Sequence, residues 1–405
     1  MHLAAGIMLS ALALPACAQS SLSPEVLLLS RIRSHATADL SHLPNFTCLE
    51  TIERSTRNSP LKPFNVKDVV QVEVAYVGER ELYAWPGASN FESRPLGDMI
   101  GSGMTSMGEY SAHARSVFMG YAVIHYADEE EMGGHRAARY DYEISPAFSG
   151  YVVNVNGSSA IVGVRGAFWA DTTTFDLLRL TVEGTDIPNQ LGVRAMLTGI
   201  DYSRLRIGSG DFLLPRSSHV WMGHDTGIEN RNRIEFTHCR QYATESVLSF
   251  EEPSKAGERP DARARQAPEF TLPAGLTVSI RLEAPILILT AKVGDTISAA
   301  LSSDLKHTGR LLAPKGALVS GRLRLLQKDG ERLIVGVEFT DLAFGDSHAR
   351  FFAKLMSADS RYTQRQATTY LPPELPGVGT FFIPAGVAQL PKGMPMEWKI
   401  VGLGK

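Results

Sequence analysis

The chain of 405 residues is longer than one compact domain usually runs, so two domains are expected. Hydrophobic residues at 44% and charged residues at 20% can build a core and exclude global disorder. With 40 Lys plus Arg against 43 Asp plus Glu, the formal charge of −3 argues against a dedicated nucleic-acid binder, and 36 glycines and 22 prolines point to strands joined by tight turns.

Residues 1–18 read as a secretory signal. The apolar run from Leu3 to Leu14 is too short for a mature transmembrane helix, Pro15 ends it, and Ala16-Cys17-Ala18 has the small-x-small form of a cleavage site. The n-region, Met1-His2, carries no Lys or Arg. A second reading takes Leu14-Pro15-Ala16-Cys17 as a lipobox, with Cys17 lipidated and the chain anchored to a membrane; Pro15 makes that lipobox a poor one, and plain secretion is preferred. Either route leaves Cys48 and Cys239, an even pair in an oxidising compartment, and a disulfide between them is expected. It would bring both ends of the first half of the chain into one domain.

Ser23-Pro24-Glu25 is a helix start, followed by an apolar stripe of Leu29, Ile32, Ala36, Leu40 and Leu43 and stopped by Pro44. Strand alternation then takes over in Val70, Val72, Val74 and Tyr76, and again in Ala138, Tyr140, Tyr142 and Ile144. Tyr151, Val153 and Val155 lead into Asn156-Gly157, a strong hairpin signal. A turn over Asp171 to Thr174 precedes Leu178, Leu180 and Val182, and a weaker helical stretch lies between Met104 and Phe118.

Residues 251–269 are charged, hold three prolines and lack large apolar side chains, which predicts a disordered linker between a domain over 19–250 and a second over 270–405. Beyond it Val278, Ile280 and Leu282 alternate, and Leu323 and Leu325 face Leu333 to Phe339 across Lys328-Asp329-Gly330-Glu331. Pro273-Ala274-Gly275 recurs as Pro384-Ala385-Gly386, and Pro314-Lys315-Gly316 as Pro391-Lys392-Gly393. Type I turns, with Pro second and Gly fourth, are expected there, and common turn chemistry accounts for the recurrence.

Candidate chemistry is sparse. Asp225-Thr226-Gly227 matches the aspartic-protease tripeptide, but no second copy supplies the paired carboxylate, and a hairpin turn explains it more simply. His125 and His135 flank Asp128 to Glu131, which reads as a solvated acidic loop rather than a metal site. Zinc-protease, phosphate-loop and nucleophile-elbow motifs are missing. Trp85, Phe168, Trp169 and Trp221 could line an apolar ligand cavity, against the plainer reading that they are core. Arg231-Asn232-Arg233 is expected on a solvated strand face.

The long helix and meander, with Gly166-Ala167-Phe168-Trp169-Ala170-Asp171 turning into Leu177-Leu178-Arg179-Leu180, resemble the periplasmic lipoprotein-carrier superfamily. That resemblance implies an antiparallel half-barrel whose concave face takes acyl chains or outer-membrane partners. Leu43-Pro44-Asn45-Phe46-Thr47-Cys48 and His238-Cys239-Arg240 also look like a group of uncharacterised exported bacterial proteins. Arg310 to Gly321, followed by Glu331 to Phe339, is similar to the C-terminal β-barrel of the TrbI family of conjugation and type IV secretion, which implies a small β-barrel for docking or assembly. The expected protein is thus mainly β, with a half-barrel, a long N-terminal helix and a second small barrel. It is expected to be non-enzymatic, exported and periplasmic or extracellular, without metal or cofactor, and to bind a lipid, lipidated protein or envelope-protein segment. Two alternatives stay open: a structural component of a secretion apparatus, and a hydrolase using Asp225.

Overall fold

The computed structural model describes residues 22–88, 91, 95–101, 103–106, 111–242, 270–329, 332–361, 375–384 and 386–401. The expected signal over 1–18, with Cys17, and the linker over 251–269 lie outside the described residues.

The first helix, α1 (Pro24–Ser41), starts with Pro24 in the first turn, where a missing N–H is no loss. It ends at Ser41, before Leu43, where the His42 N–H reaches the Ala38 and Asp39 carbonyls. Ile32, Ala36 and Leu40 are buried, while Leu29 and Leu43 are half-buried. Then follow β1 (Phe46–Arg57), β2 (Asn65–Val77), β3 (Arg80–Ala84), α2 (Leu96–Ile100), α3 (Ala112–Phe118), β4 (Val123–Met132), β5 (His135–Ile144) and α4 (Pro146–Ser149). The domain continues with β6 (Tyr151–Val155), β7 (Ser158–Asp171), β8 (Leu177–Thr185), β9 (Val193–Ile207), β10 (Gly210–His224) and β11 (Glu229–Gln241).

These strands make one antiparallel half-barrel sheet in the order β3-β2-β1-β11-β10-β9-β8-β7-β5-β4, with β6 on the first part of β7. Strand alternation sends Val70, Val72, Val74 and Tyr76 to the buried face. Asn156 (φ 51°) and Gly157 (φ 82°) form the two-residue β6–β7 turn, both in the left-handed region that such hairpins require. α1 and α3 pack over Tyr140, Phe168, Leu180 and Ile200. α2 packs over Ile52, Val70, Val72 and Val74. The chain's own helices therefore fill the apolar face of the sheet from two sides.

Two expectations are corrected here. The acidic run at Asp128 to Glu131 is not a loop but the second half of β4, an edge strand exposed along most of its length. Charges on an edge strand keep it soluble while erasing the alternation that marks strands. Arg231-Asn232-Arg233 is only partly solvated, because Asn232 is buried and its side-chain amide donates to the Met104 carbonyl, 2.9 Å away.

The second β unit comprises β12 (Thr277–Leu282), β13 (Ile286–Leu287), β14 (Thr296–Leu301), β15 (Leu305–His307), β16 (Arg310–Ala313), β17 (Leu318–Asp329) and β18 (Arg332–Phe344). It ends with β19 (Ser347–Arg350), β20 (Ala353–Ala358), β21 (Val378–Pro384), β22 (Gln389–Leu390) and β23 (Pro395–Ile400). The main sheet runs β19-β18-β17-β14-β12-β23-β20, with β21 also on β18, around a core centred on Trp398, Phe339 and Phe351. β13–β22 and β15–β16 are separate two-stranded pairs.

Three of the four proline-glycine turns differ from expectation. Proline stands first and glycine third: the N–H of Leu276, Ala317 and Met394 closes onto Pro273, Pro314 and Pro391, with Gly275, Gly316 and Gly393 at φ 86°, 86° and 81°. A positive φ at the third position is the type II arrangement. Each glycine N–H then donates to the last carbonyl of another strand, Ile400, Leu301 and Leu282 respectively. A fourth turn, Lys292-Val293-Gly294-Asp295, repeats the design without a proline, its glycine donating to Leu323.

That fourth turn joins the two sheets. β3 covers β2 only from Glu73 onward, which leaves the Val69–Gln71 edge to be filled. Val293 fills it: its N–H donates to Val69 O at 2.8 Å, and the Gln71 N–H donates to Val293 O at 2.7 Å. Arg324 adds a bond from its guanidinium to Met99 O at 2.9 Å and an ion pair with Glu338. Val293 belongs to the same buried cluster as Val70 and Trp85, so the two β units share a core at this point.

Candidate functional site

The four aromatic candidates do not converge. Phe168 is fully buried under α1 and α3, stacked on Tyr140 at 5.3 Å and edge-on to Phe118 at 4.9 Å. Trp169, the next residue on β7, points to the other face, where its indole N–H donates to Glu130 and Arg139 lies 5.6 Å over its ring. Trp221 donates to Glu229 at 3.0 Å. Trp85 sits at the junction of the two sheets, with the Arg324 and Arg322 guanidinium carbons 4.9 and 5.7 Å from its ring. Composition reveals aromatic content but not which face of a strand each ring takes.

Cys48 and Cys239 form a disulfide between neighbouring strands β1 and β11, with Cα atoms 4.0 Å apart, at the point where the register shifts by one residue. A half-open pocket of about 240 Å³ lies beside it, lined by Thr47, Leu49, Gln71, Glu73, His238 and Arg240 among others. A second pocket of about 240 Å³ lies in the second sheet between the 284–291 segment and β14. Both are smaller than the roughly 300–1,000 Å³ usual for ligand sites.

Asp225 is exposed in the β10–β11 turn, where the Gly227 N–H donates to His224 O and the Asp225 N–H to Gly192 O. His125 and His135 are not brought together on one site: His135 Nδ1–H donates to Asp171 at 2.7 Å, while His125 pairs across the ladder with Asp141.

Two polar clusters were not apparent from sequence. In one, His35 and Asp39 on α1 meet Asp176 and Arg204, with Arg204 Nη2 2.8 Å from Asp39 and 2.6 Å from Asp176. His35 Nε2 lies 3.0 Å from Asp176 and 3.5 Å from Asp39, which gives the three residues metal-ligand spacing. The Arg204 guanidinium already supplies the cation between the two carboxylates, so the arrangement reads as a staple from α1 to the sheet. Burial pushes the Asp176 carboxyl up, but the bonds from Arg204 and His35 outweigh it and hold the group below its ordinary value. The His35/Asp39 spacing was visible as a helical i, i+4 pair; its partners on β9 and in the turn before β8 were not.

In the other cluster, Glu229 is buried and receives Arg57 at 2.8 Å, Trp221 at 3.0 Å and Arg194 at 3.2 Å. Here too burial raises the carboxyl, and hydrogen bonds from Arg57 and Trp221, with the Arg57 charge, bring it below its ordinary value. A carboxylate saturated by three donors is a structural anchor for Trp221 rather than a proton carrier.

Exposed apolar side chains gather elsewhere, along α1. The segment after α3 runs back beside this helix: Arg115 donates to Leu40 O, Arg33 to Phe118 O and Gly120 O, and Tyr140, in contact with Tyr126, to Glu25 O. Burial pushes the Tyr140 phenol up to about 12, so it remains a donor. Tyr121, the residue after Gly120, is 73% exposed, and its ring lies 4.7 Å from that of Phe148 on α4, which is 59% exposed. Val26, Leu27 and Met119 are exposed too. Near the start of α1 the run Val26-Leu27-Leu28-Leu29 is apolar, with Val26 and Leu27 exposed and Leu28 and Leu29 half-buried, before Ser30 and Arg31 follow.

No protein-family model matches the chain, and no curated protein matches it. Two solved structures do. A domain described as outer membrane lipoprotein-sorting, from Vibrio parahaemolyticus, is 8% identical, with 54% of this chain and 93% of that chain covered and a TM-score of 0.25. A DUF1329 family protein from Desulfovibrio piger is 11% identical, with 55% of this chain and 95% of that chain covered and a TM-score of 0.26. Identities and scores this low bear on neither ligand nor activity.

Proposed function

We propose that the protein is a non-enzymatic, exported component of a bacterial envelope whose first domain binds an apolar partner, a lipid or a lipidated protein, along the α1 seam. The observation that carries this reading is the exposed Tyr121–Phe148 pair, next in the chain to Gly120, whose carbonyl accepts from Arg33 of α1. Clustered large apolar groups of this kind mark interaction surfaces, whereas scattered ones do not. Each such side chain is worth roughly 1.5–3 kcal/mol when fully covered, before association costs are subtracted. Trp85, Phe168, Trp169 and Trp221 are already engaged within the chain and are not assigned to the site.

Export is supported by the signal-like residues 1–18 and by the Cys48–Cys239 bond. A non-catalytic role is supported by Asp225, which lies in an exposed turn rather than in a buried carboxylate pair. The second domain, joined to β2 through Val293, serves in this reading as a docking module. The test is displacement of a fluorescent fatty acid from the purified chain. Saturable binding that Tyr121→Ser and Phe148→Ser weaken supports the reading; binding unaltered in that double variant refutes the assignment.

A further inference from the structure

We propose that the chain associates head to tail with copies of itself, the free edge of β4 in one molecule receiving the β15–β16 hairpin of the next. This inference is independent of the apolar-partner reading and concerns other surfaces.

Among the described residues, β4 pairs with β5 on one side and ends the sheet on the other. Its ten residues therefore present a row of main-chain groups that can template a further strand. The first half offers apolar surface at Val123 and Tyr126, which are 59% and 41% exposed. The second half is the acidic run Asp128 to Glu131. Within the chain Glu129 binds Arg136 and Glu130 binds Trp169, so Asp128 and Glu131 are the better placed to meet an outside charge.

The complementary surface is on the second domain. β15 and β16 form a separate two-stranded sheet, and Lys306, His307 and Arg310 around its tip are exposed. Lys315 is exposed just beyond it, and the nearby acid is Asp304, 3.5 Å from Lys306. Leu311 and Leu318 add exposed apolar area at 49% and 45%. A basic and apolar hairpin thus matches an acidic and apolar edge in both charge and polarity.

The match is placed between molecules, β4 of one facing the hairpin of the next. The second domain docks on β2, and β4 stands eight places further along the sheet order. At roughly 4.8 Å per strand that is about 38 Å measured along the sheet. Because the two surfaces are different patches, head-to-tail repetition of the contact gives a ring or a filament. The four residues of β16 make a small contact, so the association is weak, concentration-dependent and sensitive to salt.

The test is sedimentation velocity on the chain from Gln19 onward, at rising concentration and low salt. The expected result is a mass that grows with concentration and returns to monomer in about 1 M salt, where the screening length is only ~3 Å. Two charge-reversed variants then decide the surfaces: Asp128→Lys with Glu131→Lys, and Lys306→Glu with Arg310→Glu. Each alone is expected to weaken self-association at least tenfold, about 1.4 kcal/mol. Mixing the two variants is expected to restore it, because every contact is again between opposite charges. Folding of each variant is checked by its melting curve. A wild-type chain that stays monomeric at all concentrations overturns the proposal, as does association that survives both reversals or is not restored on mixing.

Discussion

Gly294→Ala probes the joint between the two β units with a single added carbon. A Cβ at this position would lie 2.3 Å from Gln71 O and 3.2 Å from the Trp85 ring, and contacts under 3.0 Å do not survive. Gly294 also holds φ 107°, a conformation that alanine adopts only with strain. The turn must retreat from β2, which breaks the Val293-to-Val69 and Gln71-to-Val293 hydrogen bonds. Strain of about 1–3 kcal/mol and two bonds of about 0.5–1.5 kcal/mol each give a loss of roughly 2–6 kcal/mol. The melting midpoint should fall by about 10 °C, allowing a few degrees per kcal/mol. Hydrogen exchange gives the local readout: the Val293 and Gln71 amides should lose protection while the β6–β7 hairpin keeps its own. An unchanged midpoint together with unchanged protection of those two amides would refute the joint.

Trp85→Ala should cost roughly 3–5 kcal/mol in urea unfolding, whereas Trp169→Ala should cost less than about 1 kcal/mol, and neither should alter fatty-acid binding. If either abolishes binding without unfolding the chain, the ligand lies at the tryptophans instead. Replacing both Cys48 and Cys239 by Ala should lower stability by roughly 2–5 kcal/mol, seen as a reductant-independent fall in the melting point. Glu229 and Asp176 both titrate below their ordinary values in the folded chain, so their contribution is full above the unfolded value of about 4 and is lost as pH falls through the lower folded value. Glu229→Gln should therefore be less stable than wild type at neutral pH and lose less on acidification; parallel stability-versus-pH curves would contradict that linkage.

Residues whose neighbours along the chain decide their structure were legible in advance. Val70 to Tyr76 announced a buried strand face by alternation, Asn156-Gly157 a hairpin, and Ser23-Pro24 a helix start. The misreadings share a cause, which is structure set by distant partners. β4 reads as a loop because an edge strand carries charge where an inner strand carries apolar residues. The glycine turns read as type I because their form is set by the strand ends on which they dock. Nothing in Lys292-Val293-Gly294-Asp295 announces that it completes the edge of β2 in another sheet. The same limit held at the candidate site: aromatic residues were visible, but burial separates Phe168 from the exposed Tyr121 and Phe148, and only the fold shows which rings face outward.

The apolar-partner reading meets its most direct test in native mass spectrometry of the protein purified from its host, with organic extraction of whatever it carries. The account predicts a fraction of wild-type molecules bearing an acyl-containing adduct, and its loss in the folded Tyr121→Ser/Phe148→Ser variant. A wild-type protein recovered without any such adduct, or a variant that retains it in full, would contradict the account.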